Sequence, residues 1–312
     1  MSPDKIGIIA AIAALSSWTI SSFAFTTASR RANPGSINRV RILYAFILLT
    51  FLVTIPAFGV GSFNYLTQIN KMQYMWFGLS GLVGLTLGDY YFFNGLRILG
   101  ARRGSIFICI APAATFLTGL FLLQEHLSWI AFAGMTLSIV GVFSLFFLKY
   151  EQQGVVNDGY GDIKKGISFA LLGGACQGIG LVFAKKGFQV PGISIGALTA
   201  TWIRMLSATV SVYLVGAFKI NLLTEFRNIT FSREKLLPVF AGTIFGPVIA
   251  ICFSLYAAEN LKTVVAQTLF SLLPLSILMT SVLFKLERVP PRSYLAVCIS
   301  IAGILMLIWQ QS

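Results

Sequence analysis

Apolar residues in this chain come in runs of about twenty separated by short polar breaks, and that pattern carries most of what the sequence says. A helix of about 20 apolar residues crosses a hydrocarbon core of about 30 Å, with every backbone N–H and C=O bonded inside the segment, as lipid demands. Ten segments fit: 6–27, 37–58, 74–96, 105–123, 129–148, 166–188, 196–218, 236–257, 263–284 and 293–309. Most connections are short, so consecutive helices are expected as antiparallel neighbours. The pattern predicts an all-α membrane protein surrounded by the lipid bilayer.

The longest central polar break, 150–165 (YEQQGVVNDGYGDIKK), is rich in Gly, Asn and Asp and reads as a linker between a first half, 1–149, and a second, 166–312. The halves resemble each other. IAPAATFLTGLFLLQEHLSW around Pro112 matches LLPLSILMTSVLFKLERVPP around Pro274, and one offset of 162 residues pairs Pro112 with Pro274, Glu125 with Glu287 and Gly141 with Gly303. Upstream, with small gaps, SSWT at Trp18 faces CQGI at Gln177, NRVRIL at Arg41 faces TWIRML at Arg204, and GLTLG faces GTIFG. Five segments per half is an odd number, so the second copy enters from the opposite face: ten transmembrane helices as a five-plus-five inverted repeat. Such a repeat presents one midplane site to either side in turn, the geometry of alternating access. Two complete halves in one chain make a monomer the expected unit. Lys5 before the first run suggests a signal peptide, but removing that helix would leave one half incomplete.

Composition narrows the function classes. Hydrophobic residues make up 56% of the 312 and charged residues 11%, with mean hydropathy +0.83, far from the balance of a soluble domain. The net charge of +13 sits in short clusters between apolar runs, as anchors at an anionic lipid surface do, and not on a continuous basic face for nucleic acid. On the face bearing the termini five basic residues flank the helices, against sixteen on the other, so both termini are expected on the non-cytoplasmic side, with a bacterial inner membrane as the setting. Four isolated cysteines and a single histidine, His126, support neither a metal site nor a His-based triad, and no phosphate-binding glycine loop occurs. No cofactor and no enzymatic activity are expected. A channel would require a repeated polar or charged ring, which is missing.

Nine of the ten acidic residues lie in or beside expected loops; the exception, Asp89, is deep in a span. A charge at that depth is costly, which makes Asp89 a candidate for binding a substrate amine or carrying a proton, with a structural pair to Arg41 or a helix-capping role as the alternative. Arg41 and Arg204 occupy repeat-related positions and are candidates for a structural or gating ion pair, or for contact with a substrate carboxylate or phosphate. Trp18 and Gln177 face each other by the repeat. Phe93 shares a helix face with Asp89, Asn94 lies beside it, and Tyr256 and Gln267 are further polar groups without a loop to explain them. Together these seven suit an organic zwitterion or an aromatic solute. Pro112 and Pro274 lie inside expected helices, where each removes a backbone hydrogen bond and marks a candidate hinge. Gly-rich GLSGLVGLTLG and LLGGACQGIG fit close helix packing.

The early SSWT element, the arginine–leucine pattern of NRVRIL and TWIRML, and the Pro112 motif with Glu125, in this order and repeated, resemble the drug/metabolite transporter superfamily, in its ten-helix EamA-like branch. The resemblance spans essentially the whole chain. It implies a secondary transporter of small organic metabolites, often an amino-acid exporter, driven by protons, another gradient or exchange, with a cavity lined by helices one, three, four, six, eight and nine. A facilitative exchanger of organic anions and a non-transporting membrane scaffold remain the alternatives. Small multidrug exporters of this superfamily use an acid in their first helix; IGIIAAIAALSSWTISSFAFTT has none, so that coupling does not carry over.

Overall fold

The structure is a computed structural model and describes residues 2–29, 31–55, 63–99, 101–144, 162–217, 222–284 and 291–309. Among these residues every regular element is a helix, and the described parts of the ten expected segments are mainly helical, several of them running through more than one element. The chain opens with α1 (Pro3–Ser29) and α2 (Pro34–Thr54). Asn33 caps α2 by accepting from the Gly35 N–H, and Pro34 begins the first turn, where its missing N–H costs nothing. A short α3 (Phe63–Gln68) precedes α4 (Lys71–Ser80), whose capping box joins Asn70 and Gln73. From α4 the rod continues through a π-helical segment, Gly81–Leu87, into α5 (Gly88–Leu99). Then come α6 (Ala101–Ile106), a 3-10 turn at Phe107–Ile110, α7 (Ala111–Leu122) and α8 (Trp129–Ser144).

The second half contains α9 (Ile163–Gln189), capped by Asp162, then α10 (Ala197–Ala217) and the short α11 (Leu222–Thr230). Next, α12 (Arg233–Thr243) passes through a second π segment, Ile244–Ala250, into α13 (Ile251–Asn260). After α14 (Thr263–Phe270) a turn at Ser271 and Leu272 leads into α15 (Leu273–Leu283), and α16 (Pro291–Trp309) closes the chain. Among the described residues six helices are long and apolar enough to cross a membrane: Pro3–Ser29, Gly35–Thr54, Gly104–Leu122, Ile163–Gln189, Arg233–Asn260 and Thr263–Leu283. Trp129–Ser144 and Ser293–Trp309 are apolar but shorter. Most of the expected linker, and Glu287 with it, lies outside the described residues.

Burial follows the solvent that the sequence implies. Large apolar side chains point outward, including Phe51, Phe121, Trp129 and Leu305, while Ser80, Thr115, Ser138, Thr201 and Ser300 are wholly inside. Inside a lipid-facing bundle, packing and internal hydrogen bonds, not exclusion of water, hold helices together, and small residues let backbones approach. The contact between α8 and α16 shows this most closely. A Cβ on Gly134 would stand 2.6 Å from the Gly303 carbonyl oxygen, and one on Gly303 would stand 2.5 Å from that of Gly134. Ser138 Oγ donates to the Ser300 carbonyl at 3.1 Å and Ser300 Oγ to that of Ser138 at 3.4 Å. These serines are 162 apart, the offset of the repeat, so repeat-related residues meet reciprocally. The two helices run antiparallel, since Gly134 meets Gly303 and Leu307 while Gly141 meets Ala296 and Ser300.

Both repeat-related prolines sit just after a break in helical geometry. The 3-10 turn Phe107–Ile110 ends two residues before Pro112, and the turn at Ser271 and Leu272 ends two residues before Pro274. A proline ring clashes with the carbonyl of the preceding turn and supplies no N–H, so the turn before it tightens or opens. Gly303→Ala is expected to push α8 and α16 apart at a cost of about 1–3 kcal/mol, the usual penalty of an overpacked contact. A lowered thermal midpoint of the purified variant in detergent, against an unchanged one, decides the matter.

Candidate functional site

Residues from both halves enclose a cavity of about 1190 Å³. Its lining starts at the exposed end of α1, with Thr26, Thr27 and Ser29, and at Arg97 and Ser105, and runs inward to Trp18, Gln177, Arg204, Ser254 and Gln267. The opposite end is filled. Gly7 of α1 packs on Leu261 and Asn260, and Lys185 Nζ donates to the carbonyls of Ala258, Glu259 and Leu261 at 2.6, 2.7 and 3.1 Å. There Glu125 also accepts from Thr263 N at 2.9 Å and Thr263 Oγ1 at 2.6 Å, which caps the first turn of α14 with a carboxylate. The cavity therefore opens on the face away from the chain's start.

Local sequence explains how the walls are built. Pro247, which has no N–H to give, lies in the second π segment. Ser21 of α1 donates to the Gly242 carbonyl, five residues before that proline, at 2.8 Å, and one turn earlier Ser17 donates to Phe245 O at 2.6 Å. The hydroxyls of α1 thus answer the irregular backbone of the facing helix. In the first half the corresponding π segment makes room instead: a Cβ on Gly81 would lie 2.3 Å from the Arg204 carbonyl oxygen, and one on Gly84 3.3 Å from its Nη2.

The two arginines differ. Arg41 Nη2 donates to Asp89 Oδ2, its Nε donates to Asn38 Oδ1 at 2.7 Å, and its guanidinium lies 5.2 Å from the Phe25 ring centre and 4.9 Å from that of Phe93. Arg204 is only 5% exposed, yet its Nε has no hydrogen-bond partner and it forms no ion pair among the described residues. Asp89 is 7% exposed and still exerts its charge on Arg204.

Residues 5–147 and 164–309 each match the EamA-like transporter family. The chain belongs to that family, a family of membrane transporters. A crystal structure of a protein shares the fold with a TM-score of 0.72 over 96% of this chain and 95% of the other, at 15% identity, a likeness of fold alone. No curated protein matches.

Of the residues singled out from the sequence, Trp18, Asp89, Phe93, Gln177, Gln267, Arg41, Arg204 and Pro274 line the EamA-like chain's cavity. Asn94, Tyr256 and Pro112 do not. Asn94 turns its amide back to donate to Tyr90 O at 2.7 Å, a turn away on its own helix, and Tyr256 points outward, 40% exposed. Pro112 is buried against other helices. Phe25, Ser21, Ser254 and Phe270 also line the cavity, although sequence reasoning did not select them. The run of hydroxyls along α1, Ser17, Ser21 and Ser22, is the signal that could have done so, since a lipid-facing helix has little use for them. Phe270 meets Trp18 edge-on at 5.1 Å between ring centres. Besides helices one, three, four, six, eight and nine of the ten expected, the second and seventh reach the cavity, through Arg41 and Arg204.

Removing either partner of a buried pair strands the other charge, at about 3–5 kcal/mol when burial is complete. Asp89→Asn leaves two guanidinium groups without a counter-charge, whereas Arg41→Gln leaves Asp89 free to serve Arg204. Asp89→Asn is therefore expected to lower the thermal midpoint more than Arg41→Gln, read by fluorescence during heating of each variant in detergent. The reverse ranking would show that Asp89 does not hold the site together.

Proposed function

We propose that this chain is a secondary transporter that moves a small organic metabolite by alternating access, with all ten expected segments spanning the bilayer as two inverted repeats. The observation that carries the reading is a large cavity, walled by both halves, open at one end and shut at the other. Reciprocal contact between Ser138 and Ser300 across antiparallel helices supports a two-fold relation whose axis crosses the helices. Under such a relation the halves can exchange conformations, which shuts the open end and opens the closed one.

Closure at the mouth would bring together the ends of α1, α5 and α15, which contribute Ser29, Arg97 and Ser281 to the lining. Opening at the other end would break the Lys185 and Glu125 contacts. Both depend on the helix breaks before Pro112 and Pro274, to which we assign the bending. The transporting unit is taken as a monomer, because the chain contains both repeats. The excess of basic residues on the face opposite the termini supports termini outside the cytoplasm, which turns the cavity mouth toward the cytoplasm.

In proteoliposomes the carrier reading predicts saturable counterflow of labelled solute, abolished when α1 and α13 are cross-linked through cysteines placed at Gly7 and Asn260. Conductance without saturation would replace the carrier by a channel, and silence across amino acids, carboxylic acids, nucleosides, sugars and amines would favour a scaffold. For orientation, an alkaline phosphatase fused after Ser312 is expected to be active in a bacterial host; an inactive fusion with full expression would put the termini in the cytoplasm.

A further inference from the structure

We propose that Arg204 anchors an anionic headgroup of the transported solute, which makes that solute an organic anion, a carboxylate or a phosphate-type oxyanion on an apolar or aromatic body. The inference rests on the carrier reading for the word transported, but the site itself stands on its own geometry. Repeat-related positions hold two arginines, and only one is answered. Arg41 has Asp89, Asn38 and two aromatic rings. Arg204 is just as deeply enclosed, lines the same cavity, and has a buried Nε with no partner.

An unpaired guanidinium inside an apolar bundle is costly enough that it persists only where water or a ligand reaches it. The cavity provides that access. Guanidinium presents a planar fork of donors that suits the two oxygens of a carboxylate or of a phosphoryl group. Gly84 is part of the arrangement, because a side chain there would start 3.3 Å from Arg204 Nη2 and crowd the approach.

Charge balance sets the sign of the ligand. Among the described lining residues the charged ones are Arg41, Arg97, Arg204 and Asp89, three positive and one negative. Asp89 is in direct contact with Arg41 and acts on Arg204 only through space, so Arg204 is the cation of the inner cavity that has no contacting counter-charge among the described residues. A ligand amine finds no free carboxylate there, since Arg41 occupies Asp89. Trp18, Phe25, Phe93 and Phe270 supply the apolar and aromatic walls for the body of the solute, and Gln177 and Gln267 are the amides able to orient polar substituents.

Four compounds with the same ring and different heads test this: phenylacetate, phenyl phosphate, phenethylamine and phenylethanol. Each is titrated into the full chain in nanodiscs, with tryptophan fluorescence as the signal because Trp18 lines the cavity. At least one anion is expected to bind saturably, and the amine and alcohol more weakly than that anion; the tighter of the two anions identifies the headgroup. Arg204→Gln is expected to weaken anion binding about thirtyfold or more, and Arg204→Lys, which keeps the charge but loses the fork, by an intermediate factor. Should Arg204→Gln fail to fold, Arg204→Lys carries the test by itself. Failure of both anions to bind saturably, amine binding as tight as anion binding, or variants that titrate like the unaltered chain would overturn the proposal. Counterflow separates this from the carrier reading. Anion binding that depends on Arg204 without any counterflow keeps the site and rejects the carrier, whereas phenethylamine counterflow without an anion response does the opposite.

Discussion

Lipid offers a buried charge neither water nor a counter-ion, so each charge in the middle of this bundle has to be answered from within the chain or from a cavity. The Asp89 carboxylate and the Arg41 guanidinium answer each other across α2 and α5, and two aromatic rings flank the arginine. Much of the interior is arranged around that pair. Small residues along the rod of α4 and α5 let α9 and α10 pack closely on it, which brings Arg204 to the same cavity wall. Nearer the mouth, Glu225 of α11 accepts from Arg39 through both oxygens and from Ser36 at 2.9 Å, so the exposed start of α2 is held by a second charged group.

Irregular backbone is tolerated at membrane depth only where protein or a watered cavity covers it. The departures from α-helical geometry obey that rule. The π segments Gly81–Leu87 and Ile244–Ala250 face helices of the other half, and the Gly242 carbonyl, five residues before Pro247, receives a serine hydroxyl from α1. Each half carries one π segment in its third expected span and one break before a proline in its fourth. In the transport cycle we propose, these are the places where a helix can change direction while the rest of its hydrogen bonds stay intact. The glycine and serine contact between α8 and α16 contains no such break and is suited to serve as the fixed axis between moving halves.

Much of this was legible in one dimension. Hydropathy located the long apolar helices because lipid permits so few backbone arrangements, though not the short α3 and α11, and prolines 162 residues apart marked the two helix breaks because the ring's effect on the preceding turn is local. Asp89 stood out because a lone acid in an apolar run has no inexpensive place to go. The failures have equally physical causes. Asn94 follows Phe93 in sequence, but its amide finds a carbonyl one turn back and has no need of the cavity. Tyr256 is polar only at its tip, and a tyrosine can face outward from a membrane helix as readily as inward. Phe25 and Phe270 were hidden among many phenylalanines, since composition cannot tell a lipid-facing ring from one in a cavity wall.

By itself, then, the sequence determined the class of the protein, its division into two related halves, its family and the short roster of groups able to do chemistry, because each depends on local pattern or on the solvent that pattern selects. Only the tertiary structure decided which arginine is neutralised. Arg41 and Arg204 are equivalent in the repeat, and the acid that separates them is close to neither in the chain. The difference comes from the third expected helix of each half, which supplies Asp89 next to one guanidinium and no acid next to the other. That pairing acts through space between separate helices, so it exists only once they are packed, and it leaves one buried cation facing an open cavity.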